Sequence, residues 1–251
     1  MDNEFICVGD THGNHKFIIH KIKSLNIRDT TLIHVGDFGV GFKKIHTDKV
    51  DMENLNNSLE GNNCHMYVIR GNHDNPAYFN GTWEWGNLHL VPDYTVITVN
   101  GDDVLLVGGA ISIDRKQRIN EKLADARKGK DRDYYWYDEA FVLDEDKLRE
   151  VNGVRYVVTH NCPSFASPIN DTSNGPGSHG WLVSGFSSSD PELKNDLNKE
   201  RSDLTRMYEI LKENNNIGKW LYGHYHKHNA EFYEDTDFIT LGINELYTVR
   251  Q

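Results

Sequence analysis

The sequence predicts an α/β fold with parallel strands, because short apolar segments typical of strands alternate with amphipathic segments typical of helices. Phe5–Val8, Thr31–Val35 and His65–Ile69 are short, apolar and bounded by Gly, Asn or Asp, as strands usually are. Apolar residues at helical spacing after Asn14 predict a helix between the first two strands, and a less regular helix is predicted over Asp48–Leu59. This alternation favours parallel pairing through right-handed crossovers.

The next part of the chain predicts further strands joined by short turns. Leu88–Val91, Thr95–Val99 and Val104–Val107 are separated at Pro92-Asp93 and at Asn100-Gly101, and both separations have hairpin spacing. Four later segments have the same apolar, strand-like character, namely Val154–Val158, Trp220–Tyr222, Ala230–Tyr233 and Phe238–Leu241.

Three more helices are predicted in the second half of the chain. Two of them cover Asp114–Arg127 and Asp138–Glu150. The clearest begins at Ser189-Asp190-Pro191-Glu192, a capping-box pattern with a proline early in the first turn. Its apolar stripe consists of Leu193, Leu197, Leu204, Met207, Tyr208 and Leu211.

Length, charge and cysteine usage limit the class of protein. The chain has 251 residues, a net charge of −11 and three scattered cysteines. Because we find no repeat and no linker, we expect a single domain over residues 1–251. The negative charge argues against a nucleic-acid partner, and no apolar run is long enough to cross a bilayer. Without a secretory signal or a disulfide framework, we expect a cytoplasmic protein with no membrane partner; the oligomeric state stays open.

Residues 163–189 differ in composition from the rest of the chain. They are rich in Ser, Gly and Pro, with interspersed aromatic residues, which indicates a loop. Long loops in compact domains often cover a functional site, so a lid and a plain insertion are equally good interpretations here.

Five predicted strands are followed by side chains that can bind a metal ion or transfer a proton. In open α/β sheets, ligands collect at the carboxyl ends of the strands, so parallel neighbours would bring these groups together. Each pattern alone is common, but their agreement in order, placement and chemistry predicts one site. The groups are Asp10 and His12, Asp37, Asn72 and His73, His160, and His224 and His226.

The segments DTH, GD, GNHD, THNCP and GHYH that carry these residues resemble the motifs of the calcineurin-like metallophosphoesterase superfamily, in a bacterial or prophage-type form. The resemblance spans nearly the whole chain. It implies a four-layer α/β/β/α sandwich, in which two mixed sheets are flanked by helices and a two-metal site lies at the C-terminal strand ends. It also implies hydrolysis of phosphate esters.

By this resemblance, two groups of ligands would each hold one ion. Asp37 would bridge the two ions. The first ion would be bound by Asp10, His12 and His226, and the second by Asn72, His160 and His224. Carboxylate, imidazole and amide donors without thiolate suit two divalent or trivalent transition-metal ions, such as Mn, Fe or Zn. Such ions lower the pKa of bound water, so that a bridging hydroxide would be the nucleophile.

His73 and two arginines are the expected substrate-facing residues. Imidazole titrates near neutrality, so His73 could protonate the leaving group as general acid. Protein phosphatases of the superfamily continue the second motif as GDxVDRG, whereas this chain reads GDFGVGF and lacks that arginine. Arg115 and Arg118, three residues apart on one predicted helix face, are the expected replacements for phosphate binding, with Arg115 better placed.

These features predict a phosphomonoesterase acting on a phosphate-ester substrate. A phosphodiesterase or nuclease on the same metals is the alternative, although a nuclease would need a basic groove. A catalytically silent interaction scaffold is a remote alternative, because a scaffold would be expected to lose metal ligands or the general acid.

Overall fold

A computed structural model describes residues 4–130, 132–166 and 179–250 of the chain. Within these residues, twelve strands form two six-stranded sheets. The first sheet contains β1 (Glu4–Val8), β2 (Thr31–His34), β3 (His65–Val68), β4 (Glu84–Trp85), β5 (Leu88–Leu90) and β12 (Leu246–Arg250). The second sheet contains β6 (Thr95–Val99), β7 (Asp102–Val107), β8 (Val154–Thr159), β9 (Lys219–Tyr222), β10 (Asn229–Tyr233) and β11 (Thr236–Thr240).

Both sheets are mixed. The first has the strand order β12-β1-β2-β3-β5-β4, in which only the outermost pairs, β12 with β1 and β4 with β5, are antiparallel. The second has the order β10-β11-β9-β8-β7-β6, again with antiparallel outermost pairs. The parallel centre of each sheet therefore sends the carboxyl ends of its strands to one edge.

Six α-helices accompany the sheets in the described part of the chain, with a short 3-10 helix at Pro76–Phe79. They are α1 (His15–Ser24), α2 (Ile45–Glu60), α3 (Arg115–Ala126), α4 (Glu145–Glu150), α5 (His179–Ser187) and α6 (Leu193–Asn214).

Three apolar clusters separate four layers. Ile18 of α1 and Met52 of α2 pack against the outer face of the first sheet. Cys7 and Leu221 belong to a cluster between the two sheets, and Leu204 of α6 lies in a third cluster on the outer face of the second sheet. Each sheet contributes side chains to two clusters, because successive side chains along a strand point to opposite faces of the sheet. The predicted α/β/β/α sandwich of two mixed sheets is confirmed.

Strand register aligns the loops that carry the predicted ligands. Val8 of β1 pairs with His34 of β2, and His34 pairs with Val68 of β3. In the second sheet, Val158 of β8 pairs with Leu221 of β9. Within each sheet, the loops after these strands therefore begin at similar heights on one edge.

The hairpin expected at Pro92-Asp93 is wrong, whereas the one at Asn100-Gly101 is confirmed by the antiparallel pair β6 and β7. β5 pairs with β3 in the first sheet, and the chain then crosses to the second. Asp93 is held at this crossing, since it binds Arg70 Nη2 at 2.7 Å and accepts a hydrogen bond from Gly108 N at 2.9 Å.

The helix predicted over Asp138–Glu150 is also wrong in its first half, because the structure has only α4 there. Backbone groups of residues 138–141 form hydrogen bonds with side chains from elsewhere in the chain. Arg70 donates to the carbonyl oxygens of Asp138, Glu139 and Ala140, and Phe141 N donates to Glu200. A helix would need those same backbone groups.

The structure also differs from the sequence prediction at the start of α6 and in three elements that show no clear apolar pattern. α6 begins at Leu193, a few residues after the predicted capping box, and the Ser189 hydroxyl donates to Phe186 O instead of capping the helix. The strands β4 and β12 and the helix α5 were not predicted from the sequence. Within the segment predicted as a loop over 163–189, residues 167–178 lie outside the described residues, and α5 occupies most of the part after them.

Candidate metal centre and active site

The seven predicted ligands lie in tight loops after β1, β2, β3, β8 and β9. Four of them adopt a left-handed backbone conformation that is uncommon for residues other than glycine. The φ angles are 46° for His12, 53° for Asp37, 69° for His224 and 59° for His226. Such strained conformations persist only where the surroundings enforce them, and they cluster at functional sites.

Glycines beside the ligands leave room for this arrangement. A Cβ atom on Gly71 would lie 2.2 Å from Asp37 Oδ1, and one on Gly223 would lie 2.1 Å from Asp10 Oδ1. Both distances are impossible contacts. The Gly before Asn72 and the Gly before His224 are therefore required by the close approach of carboxylates from neighbouring loops.

The first group of donor atoms comes from Asp10, His12, Asp37 and His226, one atom from each, and these atoms lie within 4.8 Å of one another. His226 Nε2 is 3.3 Å from Asp10 Oδ2 and 2.9 Å from His12 Nε2. Two imidazole nitrogens and a carboxylate oxygen thus face a common point. This is the donor chemistry that transition-metal ions prefer.

The second group consists of His160, Asn72 and His224, again with Asp37. His160 Nε2 is 3.1 Å from Asp37 Oδ1 and 3.2 Å from Asn72 Oδ1, and His224 Nδ1 is 2.9 Å from the same amide oxygen. Asp37 lies between the groups, because its Oδ2 is 3.8 Å from His12 Nε2.

Hydrogen bonds to surrounding residues orient the ligand atoms of His160 and Asn72 toward the centre of the second group. His160 Nδ1 donates to Val35 O at 2.7 Å, so that Nε2 is left as the ligand atom. Asn72 Nδ2 donates to Ser112 Oγ at 3.0 Å, which turns the amide oxygen toward His160 and His224. The ligand atoms of His160 and Asn72 therefore face Asp37 and His224, and this set of imidazole, amide and carboxylate donors fits a metal ion.

The charges in the site interact strongly. The His160 imidazole, opposing the effect of burial, holds the pKa of Asp37 well below its usual value. Burial would lower the pKa of His160, but the Asp37 carboxylate outweighs it and raises the value to about 10. Burial lowers the pKa of His12 and His224, whereas a hydrogen bond with Asp10 raises that of His226. A metal ion must displace the proton shared by Asp37 and His160 in order to bind.

His73 lies beside the ligands and faces a cavity. Its backbone N–H donates to Asp37 Oδ1 at 2.7 Å, and its ring meets that of His12 edge-on at 4.8 Å between centroids. The guanidinium of Arg118 contacts the imidazole, with Nη2 at 3.3 Å from Nδ1 and closer to Nε2. Burial lowers the pKa of His73 to about 4, and the charge of Arg118 adds to this effect.

The structure brings Arg118 to the cavity but does not bring Arg115 there. Arg118 is 7% exposed, lines the cavity, and is held by Asp114 Oδ1 at 2.7 Å from its Nε. Arg115 turns away and binds Asp190 at 2.5 Å and Asp196 at 2.7 Å. The prediction that both arginines face the substrate therefore agrees with the structure for Arg118 only. Arg115 instead contacts acidic residues near the start of α6.

The cavity has a volume of about 390 Å³ and combines polar and apolar walls. The polar part includes six of the residues predicted from sequence. The lining consists of Asp37, Asn72, His73, Ile113, Asp114, Arg118, His179, Leu182, Phe186, His224, Tyr225 and His226.

Asp74 and Glu139 support the site although neither was among the residues predicted from sequence. The Asp74 carboxylate accepts hydrogen bonds from the backbone N–H groups of Phe38, Gly39, Val40 and Gly71, so it holds the loops after β2 and β3 together. Its signal was present as the last residue of the GNHD motif. The other contribution is that of Glu139, which binds Ser112 and lies in a segment predicted as a helix.

Taken together, the four-layer sandwich and its cluster of oxygen and nitrogen donors define a protein of the α/β class with a candidate metal-binding site. The family model for calcineurin-like phosphoesterases matches residues 4–228, and the chain belongs to this family. The family predicted from the five motifs is confirmed, and the protein is a metal-dependent phosphoric ester hydrolase. The comparison with curated protein sequences gives no match.

Solved structures that the comparison matches to this chain come from several organisms. GAP50, the anchor in the inner membrane complex of Plasmodium, is 14% identical with a TM-score of 0.45, over 95% of this chain and 71% of that chain. A predicted phosphoesterase from Streptococcus pneumoniae is 12% identical with a TM-score of 0.37, over 97% and 74%. The Phosphopantetheinyl Hydrolase from Mycobacterium tuberculosis is 13% identical with a TM-score of 0.41, over 97% and 92%.

Among the described residues, no helix combines the length and the apolar character that a membrane crossing requires.

Proposed function

We propose that this protein is a dinuclear phosphomonoesterase. The observation that carries the proposal is the position of Asp37, whose two carboxylate oxygens face separate groups of donors, with Arg118 and His73 beside them in one cavity. Two ions and one guanidinium match the charge of a phosphate dianion better than that of a diester.

When bound, the ions would lower the pKa of a coordinated water and neutralise charge that develops on the phosphate oxygens. The first ion would be held by Asp10, His12, Asp37 and His226, and the second by Asp37, Asn72, His160 and His224. The donor set suits Mn, Fe or Zn. The acidic chain thereby gains local positive charge where the substrate must bind.

Arg118 and His73 act on the phosphate and on the leaving group, respectively. The Arg118 guanidinium is positioned by Asp114 and can donate two N–H groups to non-bridging phosphate oxygens. In doing so it would exchange its contact with His73 for one with substrate, and the phosphate dianion beside the imidazole would oppose the effect of burial on the pKa of His73. His73 can then carry the proton that the leaving oxygen takes up.

Cleavage of nucleic acid is not part of this proposal. The chain has a net charge of −11, and backbone contacts to nucleic acid come mainly from clustered Lys and Arg. A single domain over residues 1–251 and a cytoplasmic location belong to the proposal, and both rest on sequence arguments alone.

A substrate panel tests the proposed activity. Phosphomonoesters, cyclic nucleotides, phosphopeptides and oligonucleotides would be assayed with Mn, Fe and Zn, using Asp37→Asn as the control for contaminating enzymes. We expect kcat/KM to be highest for small phosphomonoesters. Faster hydrolysis of a cyclic nucleotide or an oligonucleotide would show a phosphodiesterase or nuclease, and no hydrolysis with any metal would show a silent scaffold.

A further inference from the structure

One wall of the cavity is apolar and comes largely from α5. Leu182 and Phe186 are four residues apart on this helix, so they lie on the same face, and both line the cavity. Both side chains are half-buried, and no residue of α5 is fully buried. Ile113, which precedes α3, lines the same cavity. The apolar side chains that α5 directs toward the cavity are therefore not part of the buried core.

The polar groups near this wall already have partners. Tyr225 Oη donates to Asn161 Oδ1 at 2.7 Å, and the Asp114 carboxylate binds Arg118. The ring of His179 packs against that of Tyr225, with 5.2 Å between centroids. A ligand group in this part of the cavity would thus meet mainly apolar contacts.

The size of the cavity leaves room beyond a phosphate. Its volume of about 390 Å³ is within the range of small-molecule sites, and a phosphate at the metal end would fill only a small part. The space beside His73, which faces the leaving group in our proposed function, extends toward Leu182 and Phe186.

We propose that Ile113, Leu182 and Phe186 form a subsite for an apolar, aromatic leaving group, so that the substrate class is aryl or similarly hydrophobic phosphomonoesters. This inference rests on the proposed function, because it assumes that phosphate occupies the metal end of the cavity. A charged peptide or a sugar would lose hydration against this wall without regaining hydrogen bonds.

Binding of non-hydrolysable phosphonates tests the subsite independently of turnover. Calorimetry of the metal-loaded protein would compare phenylphosphonate with 4-tert-butylphenylphosphonate, which differ in apolar area. We expect the larger ligand to bind at least about tenfold more tightly, as extra buried methyl groups usually provide. Leu182→Ala and Phe186→Ala should reduce this ratio to about threefold or less, whereas Val183→Ala on the same helix, outside the cavity lining, should preserve it.

The outcomes separate this inference from the proposed function. Equal affinity for the two phosphonates, failure of both to bind, or an equal loss in Val183→Ala would overturn the subsite. Preferential binding of the larger phosphonate without hydrolysis of phenyl phosphate would instead contradict the phosphomonoesterase and leave the subsite standing. Thermal unfolding of each variant checks that the fold is intact.

A second inference concerns how Asn72 is oriented. Ser112 N donates to Glu139 Oε1 at 2.6 Å, and Ser112 Oγ donates to Oε2 at 2.9 Å. Burial raises the pKa of Glu139 to about 8. In its ionised form the carboxylate takes the Ser112 hydroxyl proton, so that the hydroxyl accepts from Asn72 Nδ2. All three residues are buried, and Glu139 is 1% exposed.

We infer that Glu139 is a positioning residue for the second metal group, acting through Ser112. In Glu139→Gln, the amide oxygen would accept from Ser112 N and the amide nitrogen would face Ser112 Oγ as a donor. The hydroxyl would then donate to Asn72, whose amide would turn and present N–H groups to His160 and His224. Loss of such outer partners commonly weakens metal binding by about 10–100-fold.

Calorimetric titration of metal-free protein with Mn²⁺ or Zn²⁺ tests this inference without any activity assay. We expect Glu139→Gln and Ser112→Ala to weaken the second binding event only. Glu200→Gln is the matched control, since Glu200 is 3% exposed, accepts from Ile111 N, Phe141 N and Asn161 Nδ2, and touches none of the seven ligands. Wild-type binding in Glu139→Gln, or the same weakening in Glu200→Gln, would overturn the inference.

Discussion

Asp37 and the residues around it show how far single residues could be predicted. The seven candidate ligands were found from sequence because each follows an apolar strand, and parallel strands bring their carboxyl ends together. The supporting residues Ser112 and Glu139 could not be found in this way. Their partners lie 27 to 40 residues away along the chain, and no local pattern indicates a hydrogen bond across such a distance.

His73→Asn tests the proposed proton donor. We expect turnover to fall by roughly 10²–10⁴-fold for alkyl phosphates, whose leaving groups need a proton. Aryl phosphates with acidic phenols should be affected much less. Metal content should stay normal, because the side chain of His73 is not assigned as a ligand. Equal losses on both ester classes would remove His73 from this role.

Arg118 replaces Arg115 as the expected phosphate-binding arginine. Because Arg118 lines the cavity, Arg118→Ala should lower kcat/KM for phosphomonoesters by roughly tenfold or more, and Arg118→Lys should recover only part of the loss. Arg115→Ala is the matched control on the same helix and should change kcat/KM by less than about threefold, since its partners are Asp190 and Asp196. The reverse ranking would contradict this assignment.

At the scale of elements, prediction succeeded where periodicity is strong and failed where distant side chains compete for the backbone. Most strands and the helices α1, α2, α3 and α6 follow their apolar patterns. The first half of the helix expected over Asp138–Glu150 is absent because Arg70 and Glu200 bind its backbone groups. A two-residue strand such as β4 has too few residues to show a pattern at all.

Helix α1 carries a buried histidine that makes stability depend on pH. His15 is 3% exposed, its Nε2 donates to Phe38 O at 2.9 Å, and burial lowers its pKa to about 4. Since the folded-state pKa lies below the unfolded-state value, the unfolded chain binds more protons between about pH 6.5 and 4. The free energy of unfolding should therefore fall in this window as the pH falls, by up to about 3 kcal/mol from His15.

Urea unfolding of metal-free protein between pH 4 and 7 measures this contribution. His15→Gln keeps a hydrogen-bond donor but cannot be protonated there, so its stability should decrease less steeply with falling pH than that of the wild type. His20→Gln, on the exposed face of the same helix, should follow the wild type. Parallel curves for all three proteins would show that His15 does not cause the dependence.

At the scale of the whole molecule, the class of fold was predictable but the division into sheets was not. Alternating strands and helices indicate α/β architecture, and the resemblance of five motifs supplied the four-layer arrangement. Local spacing could not reveal that the chain changes sheets at Pro92-Asp93, because the decisive contacts join Asp93 to Arg70 and Gly108. Likewise, local spacing could not reveal that β12 pairs with β1, because these strands lie at opposite ends of the described chain.

In the proposed enzyme, Asp37 joins the two groups of metal ligands into one site. The most direct test is the number of transition-metal ions bound per chain, measured by calorimetry and elemental analysis of wild type and Asp37→Asn. We expect two ions per wild-type chain and weakened binding of both in Asp37→Asn, because the bridge loses its charge. A single tightly bound ion per chain, unaffected by His160→Ala and His224→Ala, would contradict the account.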